Sequence, residues 1–245
     1  MEDVQSYRSI QEFDYEIISS LDWITNHFSC TNEFSSFNDE LITILSESGC
    51  ILKGHFQLLS GKHSEYFLQL SKITRQAKFY RPITKQLSNA LIKRNIEFNA
   101  ILSPDTAGSF LSYGIQQEFE EKQLPMYISR TDEKRQPTTE TNFIDVGQDS
   151  QVVIVNDMIT TEKGLENLLE ICSIKKLVVK GVVLFANGGS ENLDIPSIIN
   201  SRIRKPIHII QMCDITLPKN ATWVNKDECL LCNSNVPLIK SEQLN

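Results

Sequence analysis

Residues 151–164, QVVIVNDMITTEKG, carry side chains that could do chemistry on a phosphorylated sugar. Residues 151–155 predict a buried strand, and the pair Asn156 and Asp157 stands at its carboxyl end. A helix is expected to begin at Gly164–Leu165. Backbone N–H groups converge at such a turn, and the helix dipole favours an anion there. The acidic tip can hold sugar hydroxyls or a metal ion beside that anion. The segment therefore predicts a site for a phosphorylated sugar, with an ordinary strand–helix unit of an α/β domain as the alternative.

Composition and charge narrow the class of protein. A chain of 245 residues, 40% of them apolar, can bury a sizeable core as one domain. The sequence has no apolar run of about 18 residues, so no membrane span is expected. It also lacks the basic and apolar segments of a secretory signal, so a cytoplasmic location and free thiols are expected. The net charge of -7 argues against direct binding of nucleic acid, which is expected only through a partner.

Hydrophobic periodicity predicts an α/β fold. Residues 50–70 are typical of a β-hairpin, and after them short apolar strands alternate with amphipathic helices. This alternation indicates a Rossmann-like, mostly parallel sheet with helices on both faces. Ligands in such folds bind at the carboxyl ends of the strands. Three polar or glycine-containing segments are expected at such ends, namely Ser103–Gly108, Asn156–Asp157 and Asn187–Gly189.

The first 37 residues are expected to be a helical extension of the domain at 38–245. Their apolar residues fall at spacings of four, four, three and four, which predicts one stripe along a helix. The stripe is formed by Phe13, Ile17, Leu21, Ile24 and Phe28. Such a stripe must be buried, either against the chain's own domain or at a subunit interface. The domain itself is divided into a hairpin segment at 38–80, a core at 81–212 and a tail at 213–245 that contains Cys229-Leu-Leu-Cys232.

Three segments resemble, in order, the orotate phosphoribosyltransferases of the type I phosphoribosyltransferase family, over about residues 40–240. Residues 151–164 are similar to that family's phosphoribosyl diphosphate (PRPP) fingerprint. The hairpin KGHFQLLSGKHSEYFLQL is similar to the family's opening segment, and the tail TWVNKDECLLCNSNVPLIK to a Cys-Pro-Leu-Cys ending found in one branch. The resemblance implies the type I fold, with Mg²⁺ bound together with PRPP.

The resemblance also implies roles for individual residues. The sugar 5-phosphate would be bound by Thr160, Thr161, Glu162, Lys163 and Gly164. The ribose hydroxyls would meet Asp157 and Asn156, with Mg²⁺ contacting Asp157 only indirectly. The diphosphate would face Ser103, Asp105, Thr106, Ala107 and Gly108. The base would stack on Tyr66 or Phe67, and a lid at Thr131–Asn142 would supply Lys134 and Arg135 to the catalytic site.

Several positions depart from the family pattern. Asn156 replaces an acid, Glu162 and Lys163 replace two glycines, and Leu59 stands where many orotate enzymes have a lysine. Loss of one preorganised electrostatic group costs about 2.7–4 kcal/mol of transition-state stabilisation. We therefore expect PRPP or nucleotide monophosphate binding, with weak or absent turnover of orotate.

Two classes of function stay open on these residues. One is transfer of phosphoribose to or from a pyrimidine-like base. The other is a catalytically divergent effector or nucleotide sensor in a multi-component assembly, such as a retron-type antiphage defence system. A homodimer, or a hetero-complex formed through the extension, is expected in either case.

The cysteine pair in the tail could form half of a zinc site. Structural zinc needs four ligands, and only His208 and Cys213 lie near Cys229 and Cys232 in the sequence. We therefore expect two packed thiols and no zinc ion. The hairpin histidines, His55 and His63, are expected to be hydrogen-bonded rather than catalytic, though both roles stay open.

Overall fold

The computed structural model describes residues 14–58, 60–105, 107–122, 124–132, 137–141, 147–159, 162–188, 193–218 and 224–244. The strands are β1 (Glu16–Ile17), β2 (Phe28–Cys30), β3 (Ile51–Gln57), β4 (His63–Leu68), β5 (Ala100–Pro104), β6 (Met126–Thr131), β7 (Pro137–Thr141), β8 (Gln151–Ile159), β9 (Val178–Asn187), β10 (His208–Ile215) and β11 (Ile239–Lys240). The helices are α1 (Leu21–His27), α2 (Asn38–Ser48), α3 (Ser71–Thr74), α4 (Ala77–Lys93), α5 (Ala107–Glu118), α6 (Glu162–Ile174), α7 (Ile195–Arg202) and α8 (Leu230–Asn233). Within these ranges, no helix combines the length and apolar character that crossing a membrane would require.

The main sheet has the strand order β2-β10-β9-β8-β5-β6-β7. The five central strands pair in parallel, whereas the two edge strands pair antiparallel with their neighbours. Parallel neighbours require a crossover, and helices α5, α6 and α7 lie within these connections. The mostly parallel α/β architecture predicted from the alternating pattern is confirmed.

Apolar layers cover both faces of the main sheet, as the central strand β8 shows. Val153 and Val155 of β8 pack with α4 and α5 on one face. Val152 and Ile154 pack with α6 and α7 on the other. Successive side chains of a strand point to opposite faces, so a strand buried on both sides needs an unbroken apolar run. The apolar run at 152–155 meets that need, and it determines where along the strand the following polar residues lie.

The hairpin β3–β4 belongs to a second, smaller sheet. Strand β3 pairs antiparallel with β4 and β1, and in parallel with β11 near the C-terminus. The predicted hairpin is confirmed, with Gly61 in the connecting turn at φ +79°. The apolar cluster on one face of this sheet is small, and its fully buried members are Leu52, Phe56 and Ile239.

The single helix predicted for the extension is wrong. Ser20 accepts a hydrogen bond from the backbone N–H of Trp23 and so begins the helix at Leu21, while Ile17 lies in strand β1. Phe28 starts strand β2, and Phe13 lies outside the described residues. The residues whose spacing suggested one helical stripe are thus distributed over a strand, a seven-residue helix and another strand.

The described part of the extension packs into the main core. Ile24 and Phe28 are buried with the residues of α2 and α4, whereas Ile17 and Leu21 remain about half exposed. Arg94, at the end of α4, makes two hydrogen bonds of 3.0 and 2.7 Å to the Glu33 carboxylate. The same guanidinium donates to the backbone carbonyl of Ile209 in β10 at 2.7 Å. Residues 14–37 therefore form part of the folded domain.

Candidate functional site

Strand β8 is longer than the sequence predicted. It continues through Asn156 and Asp157 to Ile159, where it still pairs with Asn187 of β9. The predicted polar tip is therefore a polar section inside the strand. Helix α6 begins at Glu162, two residues before the predicted start, and the two threonines between strand and helix, Thr160 and Thr161, lie outside the described residues.

The Asp157 carboxyl group lies in largely apolar surroundings. It borders a small cavity whose other lining residues come from α3, from the residue just before α3, and from α4, α5 and β9. They are Leu70, Ile73, Thr74, Ile83, Leu111 and Phe185. Burial raises the pKa of Asp157 to about 6, although hydrogen bonds from the Met158 backbone and its own partly oppose the shift. A carboxyl group whose pKa is strongly raised by desolvation is a candidate for a functional site.

Asn156 and Gly108 connect strand β8 to the loop after β5. The Asn156 side chain is 8% exposed, and its Oδ1 accepts a hydrogen bond from the Asp157 backbone N–H at 2.9 Å. A Cβ atom at position 108 would lie 3.3 Å from that oxygen and 3.2 Å from the Pro104 ring. Glycine thus allows the predicted diphosphate loop to approach the predicted ribose-binding residues closely.

The rest of the diphosphate loop is only partly described. Ser103 is fully buried at the end of β5, and its hydroxyl has no hydrogen-bond partner among the described residues. Asp105 is exposed, and its backbone N–H donates to the Ser129 carbonyl at 2.9 Å. Thr106 lies outside the described residues, and Ala107 is the first residue of α5.

Three of the predicted phosphate-binding residues form the first turn of α6. Glu162 and Lys163 are exposed, and Gly164 is half-buried. The first backbone N–H groups of a helix have no partner within the helix, and they point along its axis. Binding of a phosphate at this turn therefore stays a prediction.

The predicted base-binding residues, Tyr66 and Phe67, lie on opposite faces of β4 because they are neighbours in a strand. Tyr66 is 9% exposed and packs on Trp23, with ring centroids 5.0 Å apart. Phe67 is half-buried against Phe56, with centroids 5.6 Å apart. At most one of the two rings can face a base bound on a given side of the hairpin.

The predicted lid is partly an edge strand. Residues 137–141, expected to be loop, form β7 and pair antiparallel with β6. The polar sequence of this stretch hid the strand, because an edge strand needs no apolar face. Lys134 and Arg135 lie outside the described residues.

One cluster of side chains was not predicted from the sequence. His55 and His63 of the hairpin lie beside Cys229 and Cys232 of the tail, and the donor atoms of the four lie within 4.8 Å of one another. The sequence analysis had weighed only His208 and Cys213 as further ligands of the cysteine pair, because they are close to it in the sequence. The usable signal was a pair of histidines flanking a turn together with a distant Cys-x-x-Cys.

Comparisons with known proteins agree with this architecture. No family model matches the chain. An orotate phosphoribosyltransferase from a Thermoanaerobacter species is 27% identical over 206 residues, which is 82% of this chain and 95% of the relative. A Campylobacter jejuni orotate phosphoribosyltransferase is 26% identical over 200 residues, covering 80% of this chain and 95% of the relative.

Solved structures define the fold class. The crystal structure of orotate phosphoribosyltransferase from Aeropyrum pernix superposes with a TM-score of 0.52 at 16% identity, over 70% of this chain and 92% of that one. Adenine phosphoribosyltransferase from Trypanosoma brucei gives 0.52 at 14% identity, over 81% and 82%. The chain therefore has the type I phosphoribosyltransferase fold. Within that class, its sequence resembles the orotate phosphoribosyltransferases, as the three motifs predicted.

Proposed function

We propose that the protein binds PRPP or a nucleotide monophosphate at the carboxyl edge of the main sheet, and transfers phosphoribose to or from a pyrimidine-like base. The observation that carries this proposal is the Asp157 carboxyl, held at this edge although burial raises its pKa to about 6. Asp157 is half-buried, so a ligand at this edge could reach a carboxylate that its surroundings disfavour. The sequence similarity to orotate phosphoribosyltransferases supports the same ligand class.

Each part of PRPP would meet a chemically suitable part of this edge. The 5-phosphate would accept hydrogen bonds from the first-turn N–H groups of α6, where the helix dipole adds to the attraction. The ribose hydroxyls would donate to the Asp157 carboxylate. The diphosphate would lie along the loop at 103–108.

Mg²⁺ would accompany the diphosphate. This ion prefers oxygen ligands and is usually held by one or two carboxylates together with substrate phosphates. Asp157 supplies a carboxylate at this edge, which would interact with the ion only indirectly, and its negative charge fits a divalent cation. When bound, Mg²⁺ would offset negative charge on the diphosphate leaving group.

The chemical step is expected to be weak. Bond breaking at ribose C1 builds positive charge on the sugar, which fixed anions near the ring would stabilise. The amide of Asn156 brings no charge to the position where relatives have an acid. The Asn156 amide also favours a second candidate, a nucleotide sensor that binds PRPP or a nucleotide without turnover. Nothing in the comparisons supports a role in antiphage defence.

Titration calorimetry with PRPP and Mg²⁺, followed by an orotate turnover assay, tests the proposal. Saturable binding that Asp157→Ala abolishes is expected. Asp149→Asn, in an exposed turn just before the amino end of β8, serves as the control. Turnover together with binding supports the transferase, and binding without turnover supports the sensor. Binding of neither PRPP nor a pyrimidine nucleotide would refute both.

A further inference from the structure

The two histidines and two cysteines between the hairpin and the tail have the geometry of a metal site. The His55 Nε2 atom lies 3.0 Å from His63 Nδ1 and 3.5 Å from each of the two cysteine sulfurs. The Cys232 Sγ atom is 3.2 Å from His63 Nδ1. His55, His63 and Cys229 are almost completely buried, and Cys232 is half-buried.

Hydrogen bonds alone do not satisfy this arrangement. The His55 Nδ1 atom lies 2.8 Å from the Val236 carbonyl, so it carries the ring proton and donates it there. The Nε2 atom of that neutral ring then offers a single lone pair, yet three potential donors converge on it: the ring of His63 and the thiols of Cys229 and Cys232. If His63 Nδ1 carries a proton, it fills this lone pair, and neither thiol then has a ring nitrogen to which it can donate. If His63 Nδ1 carries no proton, the Cys232 thiol can donate to it, but two nitrogen lone pairs then face each other at 3.0 Å. A single cation could bind all four groups without this conflict.

Four of the six distances between the donor atoms lie close to those of a tetrahedral zinc ion, and the other two are no longer than 4.8 Å. Zn–N bonds of about 2.0–2.1 Å and Zn–S bonds of about 2.3 Å place two nitrogens about 3.3 Å apart, and a nitrogen and a sulfur about 3.6 Å apart. The observed nitrogen–nitrogen distance is 3.0 Å, and the nitrogen–sulfur distances are 3.2–3.5 Å. Two thiolates also balance the charge of Zn²⁺, so the complete site is neutral and suited to burial.

The surroundings supply the support that zinc ligands usually need. Zinc-bound histidines commonly donate their other ring N–H to a backbone carbonyl, which fixes the tautomer. His55 has this contact with Val236. The backbone of His63 also exchanges hydrogen bonds with Val224, of 2.8 Å and 3.0 Å, which positions the tail beside the hairpin.

We propose that His55, His63, Cys229 and Cys232 bind a structural zinc ion that fastens the tail at 224–244 to the hairpin β3–β4. All four positions of the tetrahedron are filled by protein, which is typical of structural rather than catalytic zinc. Binding displaces the two thiol protons and involves no change in oxidation state. The expectation from sequence of two packed thiols without zinc is replaced by this proposal.

The small sheet explains why a metal would be useful there. One face of this sheet packs into the main core through Ile51 and Tyr66, but the cluster on its other face, where β11 lies, has only three fully buried members. A metal ion commonly supplements so small a core. The six cysteines are all free thiols. A zinc ion would link segments about 170 residues apart in the chain and hold β11 against β3.

Metal analysis of the full-length chain, purified with a thiol reductant and without chelator, tests the proposal. Elemental analysis should find close to one zinc per chain. Exchange for Co²⁺ should give the visible absorption of tetrahedral cobalt with sulfur ligands. A protein that contains no zinc and gives no tetrahedral cobalt spectrum would overturn the proposal, as would a stoichiometric metal other than zinc.

Substitutions test whether the zinc ion binds at these four residues. The double variant Cys229→Ser, Cys232→Ser should lose the zinc, while the matched control Cys30→Ser, another half-buried cysteine outside the cluster, should keep it. Stripping zinc from the wild type should lower the Tm by about 5 °C or more and should not affect the double variant. Retention of equimolar zinc by the double variant would overturn the assignment. If that variant does not fold, the zinc content and cobalt spectrum of the wild type and of Cys30→Ser decide the question.

Discussion

Replacing Asp157 with asparagine should stabilise the protein and weaken ligand binding together. The substitution keeps the shape of the side chain and an oxygen that can accept the Met158 hydrogen bond, but it removes the charge. The fold no longer has to hold a desolvated carboxylate, whereas a ribose loses its charged acceptor. A functional residue that lowers the stability of the fold is expected to show this pattern, in which one substitution raises stability and weakens binding.

The size of the stability effect follows from the pKa of Asp157. The pKa rises from its ordinary 3.8 to about 6 on folding, and each unit corresponds to 1.36 kcal/mol. The acid therefore contributes its full stability below pH 4. That contribution falls as the pH rises through the folded pKa, and about 3 kcal/mol is lost by pH 7. Asp157→Asn should recover much of this loss at pH 7 and little of it at pH 4.

Urea unfolding at pH 4, 5, 6 and 7 measures the effect, with PRPP titrations on the same proteins. The control is Asp149→Asn, which removes a charge from an exposed turn where the backbone has a φ of +70° that asparagine tolerates. Its stability should follow the wild type at each pH. An Asp157→Asn protein that is no more stable at pH 7 would show that the carboxyl is well solvated. A stabilised variant that still binds PRPP as the wild type does would show that Asp157 is no ligand.

Three further substitutions follow from individual contacts. Asn156→Asp should raise any residual phosphoribosyl transfer at least tenfold in steady-state assays, because it adds the missing charge near the ring. Arg94→Met should lower the free energy of unfolding in urea by about 2 kcal/mol, because it breaks the paired hydrogen bonds to Glu33. Gly114→Ala should lower the Tm and cost about 1–3 kcal/mol, because the new Cβ would lie 2.5–2.9 Å from the Thr84 side chain where α4 and α5 pack.

Each of these expectations has a distinct control. Arg202→Met removes a more exposed partner of Glu166 and should change stability much less than Arg94→Met. Equal effects of the two would mean that the Arg94–Glu33 pair contributes no more to the free energy of unfolding than an exposed ion pair does.

The double variant Gly114→Ala, Thr84→Ala removes the Thr84 Cγ2 and Oγ1 atoms but keeps its Cβ at 2.9 Å, so it should recover part of the loss. A double variant as unstable as Gly114→Ala alone would point away from a clash with the Thr84 methyl and hydroxyl groups. An Asn156→Asp protein with unchanged turnover would show that this position does not limit the chemistry.

The parallel sheet could be predicted from sequence because its signal is local. An unbroken apolar run such as 152–155 marks a strand buried on both faces, and its alternation with amphipathic helices indicates crossover connections. The same run placed Asn156 and Asp157 at the carboxyl edge, although the strand continues to Ile159. Strand ends depend on pairing with a neighbour, here β9, and that pairing is not visible in the strand's own residues.

The N-terminal segment shows where periodicity fails. Apolar residues three or four apart satisfy a helix, but Ile17 and Phe28 pair with β3 and β10 instead. Their partners lie far along the chain, so the local pattern could not reveal them. The His–Cys cluster has the same cause. Its four members come from two distant segments, and only the folded hairpin and tail bring them together.

A crystal structure with PRPP and Mg²⁺ bound tests the central claim most directly. We predict the 5-phosphate against the backbone N–H groups of the first turn of α6, at Glu162–Gly164, with the ribose hydroxyls at Asp157. The two features lie on successive elements at one edge of the sheet, so a single ligand should contact both. Phosphate density elsewhere, with this turn empty or covered by the Glu162 side chain, would contradict the proposed site.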